Sequence, residues 1–199
     1  MGATMTDVDE PLLGQIRECY GRIVYTHKTH EKCADLLFKQ HQRIKKAQIL
    51  LSALVTCGVI STIFPDTGAG WAILTAIVST ALFALNAYTK DYDLGEVAQK
   101  HRHSAAEVWI VREQYLTLLT DLKSDVLSGD RARERRDELL LELGKIYSGA
   151  PSTNAKAYLL AQKALQRMEE MTFSDEEIDK FLPPVLRRAA PSSTDITKP

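Results

Sequence analysis

The side chains whose types and spacing could do chemistry fall into three groups: five histidines (His27, His30, His41, His101 and His103), an arginine run (Arg131, Arg133, Arg135 and Arg136) and the carboxylates Asp91 and Asp93. Imidazoles close in sequence are potential metal ligands. Four guanidinium groups within six residues could bind an anionic headgroup or a phosphorylated ligand through charge-assisted hydrogen bonds. Against that, Glu134, Asp137 and Glu138 interrupt the run and make it a solvated helical face. Asp91 and Asp93 lie just past a helix end and would need further ligands to hold a cation. No nucleophile elbow, paired motif carboxylates, Walker loop or kinase signature occurs, so no catalytic residue, metal or cofactor is expected and the chain reads as a non-enzyme. A quieter set is uncharged: Gln48, Ser52, Thr56 and Thr62, then Thr75, Ser79 and Asn86, all within a stretch that is otherwise apolar.

That stretch organises the chain. Lys and Arg number 25 against 26 Asp and Glu among 199 residues, a net charge of -1 that argues against general nucleic-acid binding. From Ala47 to Thr89, however, the only charged residue is Asp66, where average composition would supply roughly eleven. Such segregation predicts a membrane protein with soluble flanks rather than one globule. Pro65 to Gly70 gathers proline, glycine and the lone charge, dividing the stretch into spans 47–64 and 71–88. Eighteen helical residues reach about 27 Å, just enough for a hydrocarbon layer of roughly 30 Å. Trp71 and Tyr88 bracket the second span, as interfacial aromatics do. A hairpin buried inside a soluble protein is disfavoured, because the amphipathic flanks have faces to pair with each other and cannot wrap it.

Lys28, Lys32, Lys39, Arg43, Lys45 and Lys46 precede the first span while the loop has no cation, which puts both termini in the cytoplasm. The first apolar run starts too late for a signal peptide, and three cysteines without a C-x-x-C pair fit a reducing compartment. Ile16, Tyr20, Ile23, Ala34, Leu37 and Ile44 predict a helix running from about Leu12 into the membrane. Leu94, Ala98, His101, Ala105, Val108, Arg112, Tyr115, Leu119, Leu122 and Val126 form a heptad seam on the helix leaving it, which Ser128-Gly129-Asp130 ends. A short loop makes the two helices antiparallel, so the seams predict a cytoplasmic stalk in which Val108, Trp109, Arg112 and Tyr115 are candidate contacts. If Lys46 and Lys90 mark one membrane surface, residues at equal height have numbers summing to about 136. His27 then lies near Trp109 and His101 near Asp35, so the histidines read as isolated, with a pH-sensing stalk as the lesser alternative.

Beyond the stalk, Leu139, Leu140, Leu143 and Ile146 form the apolar face of a helix over 131–147, followed by a helix over 152–171. Ser174 and Glu177 form a capping box that opens a short helix stopping before Pro183. The expected architecture is an all-α membrane protein: an N-terminal arm (1–14), a helical hairpin with its stalk (15–127), C-terminal cytoplasmic helices (128–188) and a disordered tail (189–199). Within the spans the polar residues fall in one sector of each helix, which suits either hydrogen bonding across the hairpin or the lining of a pore built from several chains. The small ridge Ala72, Ala76, Thr80 and Ala84 would assist close packing of the hairpin.

Four stretches resemble the SLATT family, two-transmembrane effector domains associated with prokaryotic nucleotide-synthesising and nucleotide-sensing conflict systems. They are Lys28-Thr29-His30-Glu31-Lys32, the hairpin, Lys100 to Ala106 with Trp109, Arg112 and Tyr115, and Ala150-Pro151-Ser152-Thr153 leading to Ala157-Tyr158 and Phe173 to Asp179. The resemblance implies an oligomeric effector that acts on the inner membrane during defence against phage, assembling a depolarising pore when a sensor or nucleotide-synthesising partner protein triggers it. It carries over no catalytic residues. The alternative class is a passive two-span anchor that presents its cytoplasmic helices to partners.

Overall fold

The computed structural model describes residues 10–61 and 68–188. The chain divides into two units, Met1–Ala161 and Gln162–Pro199. Its described helices are α1 (Glu10–Ser61), α2 (Ala69–Asp91), α3 (Leu94–Lys123), α4 (Gly129–Gly149), α5 (Ala155–Arg167) and α6 (Asp175–Phe181), with a 3₁₀ turn at Pro184–Leu186. The fold is all-α, and no strand occurs among the described residues. Residues 1–9 of the arm, Pro65 to Thr67 of the loop, Thr62 and the tail from 189 lie outside the described residues.

At 52 residues, α1 is about 78 Å long and runs unbroken from stalk to membrane. The second long helix, expected to be continuous, is interrupted at Tyr92–Asp93. Aspartate favours the start of a helix over its interior, and Asp93 Oδ1 accepts from the Gly95 and Glu96 amides at 2.9 and 3.0 Å, restarting the chain as α3. Those bonds hold the Asp93 carboxyl below its ordinary pKa, and they commit it to capping rather than to a cation shared with Asp91.

Both spans present their large apolar side chains outward. Ile49 is 71% exposed, Ile73 62% and Phe83 73%, whereas a hairpin sheathed by the rest of its own chain would bury them. Lipid is the solvent that suits such a surface, and the chain is a membrane protein.

In the stalk, α3 packs between α1 and α4. One core joins Leu12, Ile16 and Ile23 of α1, Val108, Val111, Tyr115, Leu118 and Leu122 of α3, and Ala132, Leu139 and Leu143 of α4. Serving two partners widens the buried stripe of α3, so Ser104, Val111 and Leu118 join the expected seam while Val126 is 75% exposed. α3 also ends earlier than Ser128: Asp125 adopts φ 55°, a left-handed geometry that aspartate tolerates, and Ser128 is the N-cap of α4 instead. On α4 the apolar face uses Ala132 in place of Leu140, which is exposed.

Extended Ala150, which must avoid the α region before Pro151, ends α4. Asn154 Oδ1 accepts from the Ala157 amide at 2.9 Å, so α5 starts at Ala155 rather than 152. It stops at Arg167, short of 171, with Glu169 and Met171 in left-handed geometry just beyond. In the second unit the capping box is present: Ser174 Oγ accepts from the Glu177 amide at 3.3 Å, and the Ser174 amide donates to Glu177 Oε2 at 2.9 Å.

Candidate functional site

Within the membrane the two helices meet along a regular seam. Gln48, Leu51, Val55 and Gly58 of α1 and Thr75, Val78, Leu82, Leu85 and Thr89 of α2 are the residues each helix partly or fully covers there. Gly58 is the closest approach: a Cβ added to it would collide with Thr75 Oγ1 and lie 3.0 Å from Thr75 Cγ2. Nearer the stalk, Gln48 Nε2 donates to Asn86 Oδ1 at 2.9 Å and Thr89 Oγ1 at 3.0 Å. These three residues satisfy one another across the hairpin.

The remaining polar residues do something different. Ser52 and Thr56 donate to the carbonyls of Gln48 and Ser52 at 2.7 and 2.9 Å, and Thr75 to that of Trp71 at 2.8 Å. Each hydroxyl thereby spends its proton on its own helix; Thr75 does so inside the seam, whereas Ser52 and Thr56 leave acceptor lone pairs outside. Ser52, Thr56 and Ser79 are exposed. Each follows a seam residue by one position, as does Asn86. Because both helices turn about 100° per residue with the same hand and run in opposite directions, one step past the seam lands on the same side of the hairpin in each. That side, the polar flank, carries all four of these polar residues, interleaved with the exposed Ile49, Val59, Ala76 and Phe83. Residues that precede the seam line the other side, and they are Leu50, Leu54, Leu74, Ile77, Ala81 and Ala84. The ridge Ala72, Ala76, Thr80 and Ala84 is exposed rather than packed against α1, which Val78, Leu82 and Leu85 meet instead.

Below the membrane, His30 Nδ1 and His101 Nδ1 lie 3.0 Å apart with both rings buried and tilted at 48°. The expected pairing of His101 with Asp35 is therefore wrong, and so is the view of the histidines as isolated. Just past the Tyr92–Asp93 break Gly95 still faces the His41 ring, as the expected register requires, so the His30–His101 meeting departs from that register by five positions, lower in the stalk. Burial, then the neighbouring His101 and His27, push His30 down to about 4. Burial also lowers His101 and His27. His27, also buried, faces the charges of Glu31, Arg112, Lys28 and Glu113 rather than Trp109 alone. Among the described residues no three histidine, cysteine or carboxylate groups gather as a metal site.

Of the four stalk candidates, Val108 and Tyr115 are fully buried, and burial pushes the Tyr115 phenol up to about 12. Arg112 Nε pairs with Glu113 at 3.0 Å beneath Trp109, and Trp109 itself is 47% exposed. The arginine run forms no anion cradle. Arg131 pairs with Glu134, Arg133 with Asp130, Arg135 with Glu138 and Arg136 with Asp137, at 3.2, 3.1, 2.6 and 2.7 Å. Carboxylates three residues away are neighbours on a helix surface, and an incoming anion would have to displace them together with Asp137.

A family model described as "SMODS and SLOG-associating 2TM effector domain family 4" matches residues 12–177. No curated protein and no solved structure matches the chain.

Proposed function

The chain belongs to the SMODS and SLOG-associating two-transmembrane effector domain family, and on that premise we propose that it is an inner-membrane effector of a prokaryotic anti-phage conflict system whose hairpins assemble into a depolarising pore. The observation that carries this reading is the polar flank. Ser52, Thr56 and Ser79 are exposed on one side of the hairpin beside Asn86, where lipid would solvate their free lone pairs poorly and water would solvate them well. The opposite side is apolar and suited to lipid. Two helices enclose no channel, so several copies turn their polar flanks to a common axis.

The stalk supports the same arrangement. α4 packs on the side of α3 that carries Ser104, Val111 and Leu118. The other side stays open, and there Arg102 lies 5.2 Å over the Phe38 ring while Trp109 and Leu116 are exposed. These residues continue the polar flank out of the membrane along the unbroken α1 and supply an apolar contact between copies. The trigger is a sensor or nucleotide-synthesising partner protein acting on the cytoplasmic helices.

Orientation follows from the cations before the first span, with both termini cytoplasmic. A reporter active only outside the membrane is expected to function when fused at Gly68 and to be silent at Pro199. The reverse pattern overturns the orientation.

Leucine at the polar flank tests the pore. Ser52→Leu with Ser79→Leu removes lone pairs that take no part in the cross-hairpin bonds, so insertion and expression should match the parent. Depolarisation of cells bearing the activating partner should fall by about tenfold or more, since leucine at a constriction favours dewetting. Parental depolarisation by that variant would show that the flank does not line a path. The passive-anchor reading is favoured by one observation, the mutual bonding of Gln48, Asn86 and Thr89 inside a single hairpin. A parent protein that never depolarises cells or leaks ions from liposomes with any partner makes that reading the better one.

A further inference from the structure

Where the two spans leave the membrane toward the stalk, α1, α2 and the start of α3 enclose a cleft of about 190 Å³. We propose that this cleft binds the phosphodiester of an anionic phospholipid headgroup. Lys45 of α1 and Lys90 of α2 both line it, so two helices bring one ammonium each to a single concavity. Both side chains are exposed, and among the described residues neither has a hydrogen bond or an ion pair. Lys28, Lys100 and the four arginines of α4, by contrast, each have a carboxylate within 3.2 Å. Basic pockets between membrane helices bind acidic headgroups.

The level of the cleft favours a lipid as the source of the phosphate. Lys45 precedes the first span by two residues and Lys90 follows the second by two, so each stands about 3 Å beyond the hydrocarbon, within a headgroup layer roughly 5–8 Å thick. Tyr92 also lines the cleft, and its ring stacks on Tyr88 at 5.4 Å, an aromatic pair of the kind that marks the membrane interface. Ile49, one turn from Lys45, and Phe83, two turns from Lys90, continue the same side into the hydrocarbon and are exposed to acyl chains.

The lining suits an acceptor with a single negative charge. Asn86 Oδ1 is taken by Gln48 Nε2 at 2.9 Å, which fixes the amide and leaves Nδ2, without a partner among the described residues, to donate. Asp93 is the one carboxylate of the lining, and its Oδ1 accepts from the Gly95 and Glu96 amides. With histidine neutral, two lysines against one aspartate leave one positive charge in excess. A phosphodiester matches that excess, whereas a zwitterionic headgroup would bring its own ammonium toward the lysines. His41 packs against Gly95, where a Cβ would lie 3.1 Å from its Cε1, and the volume stays below the roughly 300 Å³ at which small-molecule sites begin. That space suits one phosphate group rather than a nucleotide. The site belongs to the single hairpin in lipid and does not depend on the proposed pore, so either can fail alone.

Native mass spectrometry of the full-length protein in nonionic detergent micelles tests the site, with dioleoylphosphatidylglycerol and dioleoylphosphatidylcholine added in equal amounts. The first phospholipid bound should be phosphatidylglycerol by about tenfold. Lys45→Gln and Lys90→Gln should each weaken it about fivefold and together about thirtyfold. Helical content should be unchanged, because both side chains are exposed. Lys46→Gln, next in sequence but outside the lining, should weaken it by no more than about twofold, since it acts only through screened charge. Inorganic phosphate in large excess should leave the lipid bound. The proposal is overturned by equal binding of the two lipids, by parental affinity in the folded double variant, by Lys46→Gln weakening binding as much as Lys45→Gln, which is diffuse attraction only, or by displacement of the lipid by inorganic phosphate, which would make the site one for a soluble anion.

Discussion

Acidification from pH 7 to pH 4 is expected to remove roughly 3 kcal/mol of stability from the stalk through His30 alone, measured as the thermal unfolding of the protein in micelles. The His30 and His101 nitrogens, 3.0 Å apart and buried, are satisfied when one proton lies between two neutral rings. A second proton would set two donors face to face in a dry seam. In the unfolded chain His30 titrates near 6.5, and in the fold at about 4, so the unfolded state binds more protons throughout that interval. Stability is therefore complete above the unfolded value and declines as pH falls toward 4. His101 and His27 are shifted in the same direction and reinforce the slope. The groups that face His27, namely Glu31, Lys28, Arg112 and Glu113, include two of each sign and do not reverse it.

Replacing both rings with apolar side chains, His30→Leu with His101→Leu, should reduce the slope of stability between pH 6.5 and pH 4.5 to the share contributed by His27, at little cost near neutrality, because a buried pair removed together leaves no orphan. His101→Leu alone strands His30 and should cost about 1–3 kcal/mol at pH 7. A parent protein whose unfolding midpoint does not move between pH 7 and pH 4.5 would contradict the buried neutral pair.

The second large effect is expected at Gly58. Gly58→Ala drives a methyl into Thr75, and the hairpin must open or Thr75 must leave its rotamer, at a cost of about 1–3 kcal/mol. Thr75→Ala removes both atoms nearest the new methyl, Oγ1 and Cγ2, leaving only its Cβ at 3.1 Å. The two substitutions should consequently be non-additive, with the double variant more stable than Gly58→Ala alone. Gly58→Leu should prevent close packing of the spans even when Thr75 is alanine. If Gly58→Ala unfolds with the parent's midpoint, the helices do not approach at this point in micelles.

Much of the membrane architecture was legible without coordinates because its cause is one-dimensional. Charge cannot enter lipid, so the run from Ala47 to Thr89 announces two spans. Ser174 and Glu177 announce a cap because both partners lie within four residues. The helix interruption was harder to see: Asp93 is as consistent with a helix flank as with a restart, and the choice depends on Gly95 and Glu96 presenting their amides to it.

What the sequence determined by itself, then, was the set of local and periodic properties: which segments are helical, which of them suit lipid, and which residues form 3-4 stripes. What only the tertiary structure decided was phase and level between helices. The seven polar span residues form one class in sequence, yet Gln48 and Asn86 join the helices while Ser52, Thr56 and Ser79 turn outward, a distinction fixed by Leu51, Val55, Val78 and Leu82 occupying the seam. The meeting of His30 with His101 depends on how α1 and α3 are turned toward each other, and the stacking at Tyr25 depends on Tyr158 returning 133 positions later to the same helix. Rotation about a helix axis and displacement along it are set by contacts with the neighbour, and no periodicity within one strand of sequence contains that information.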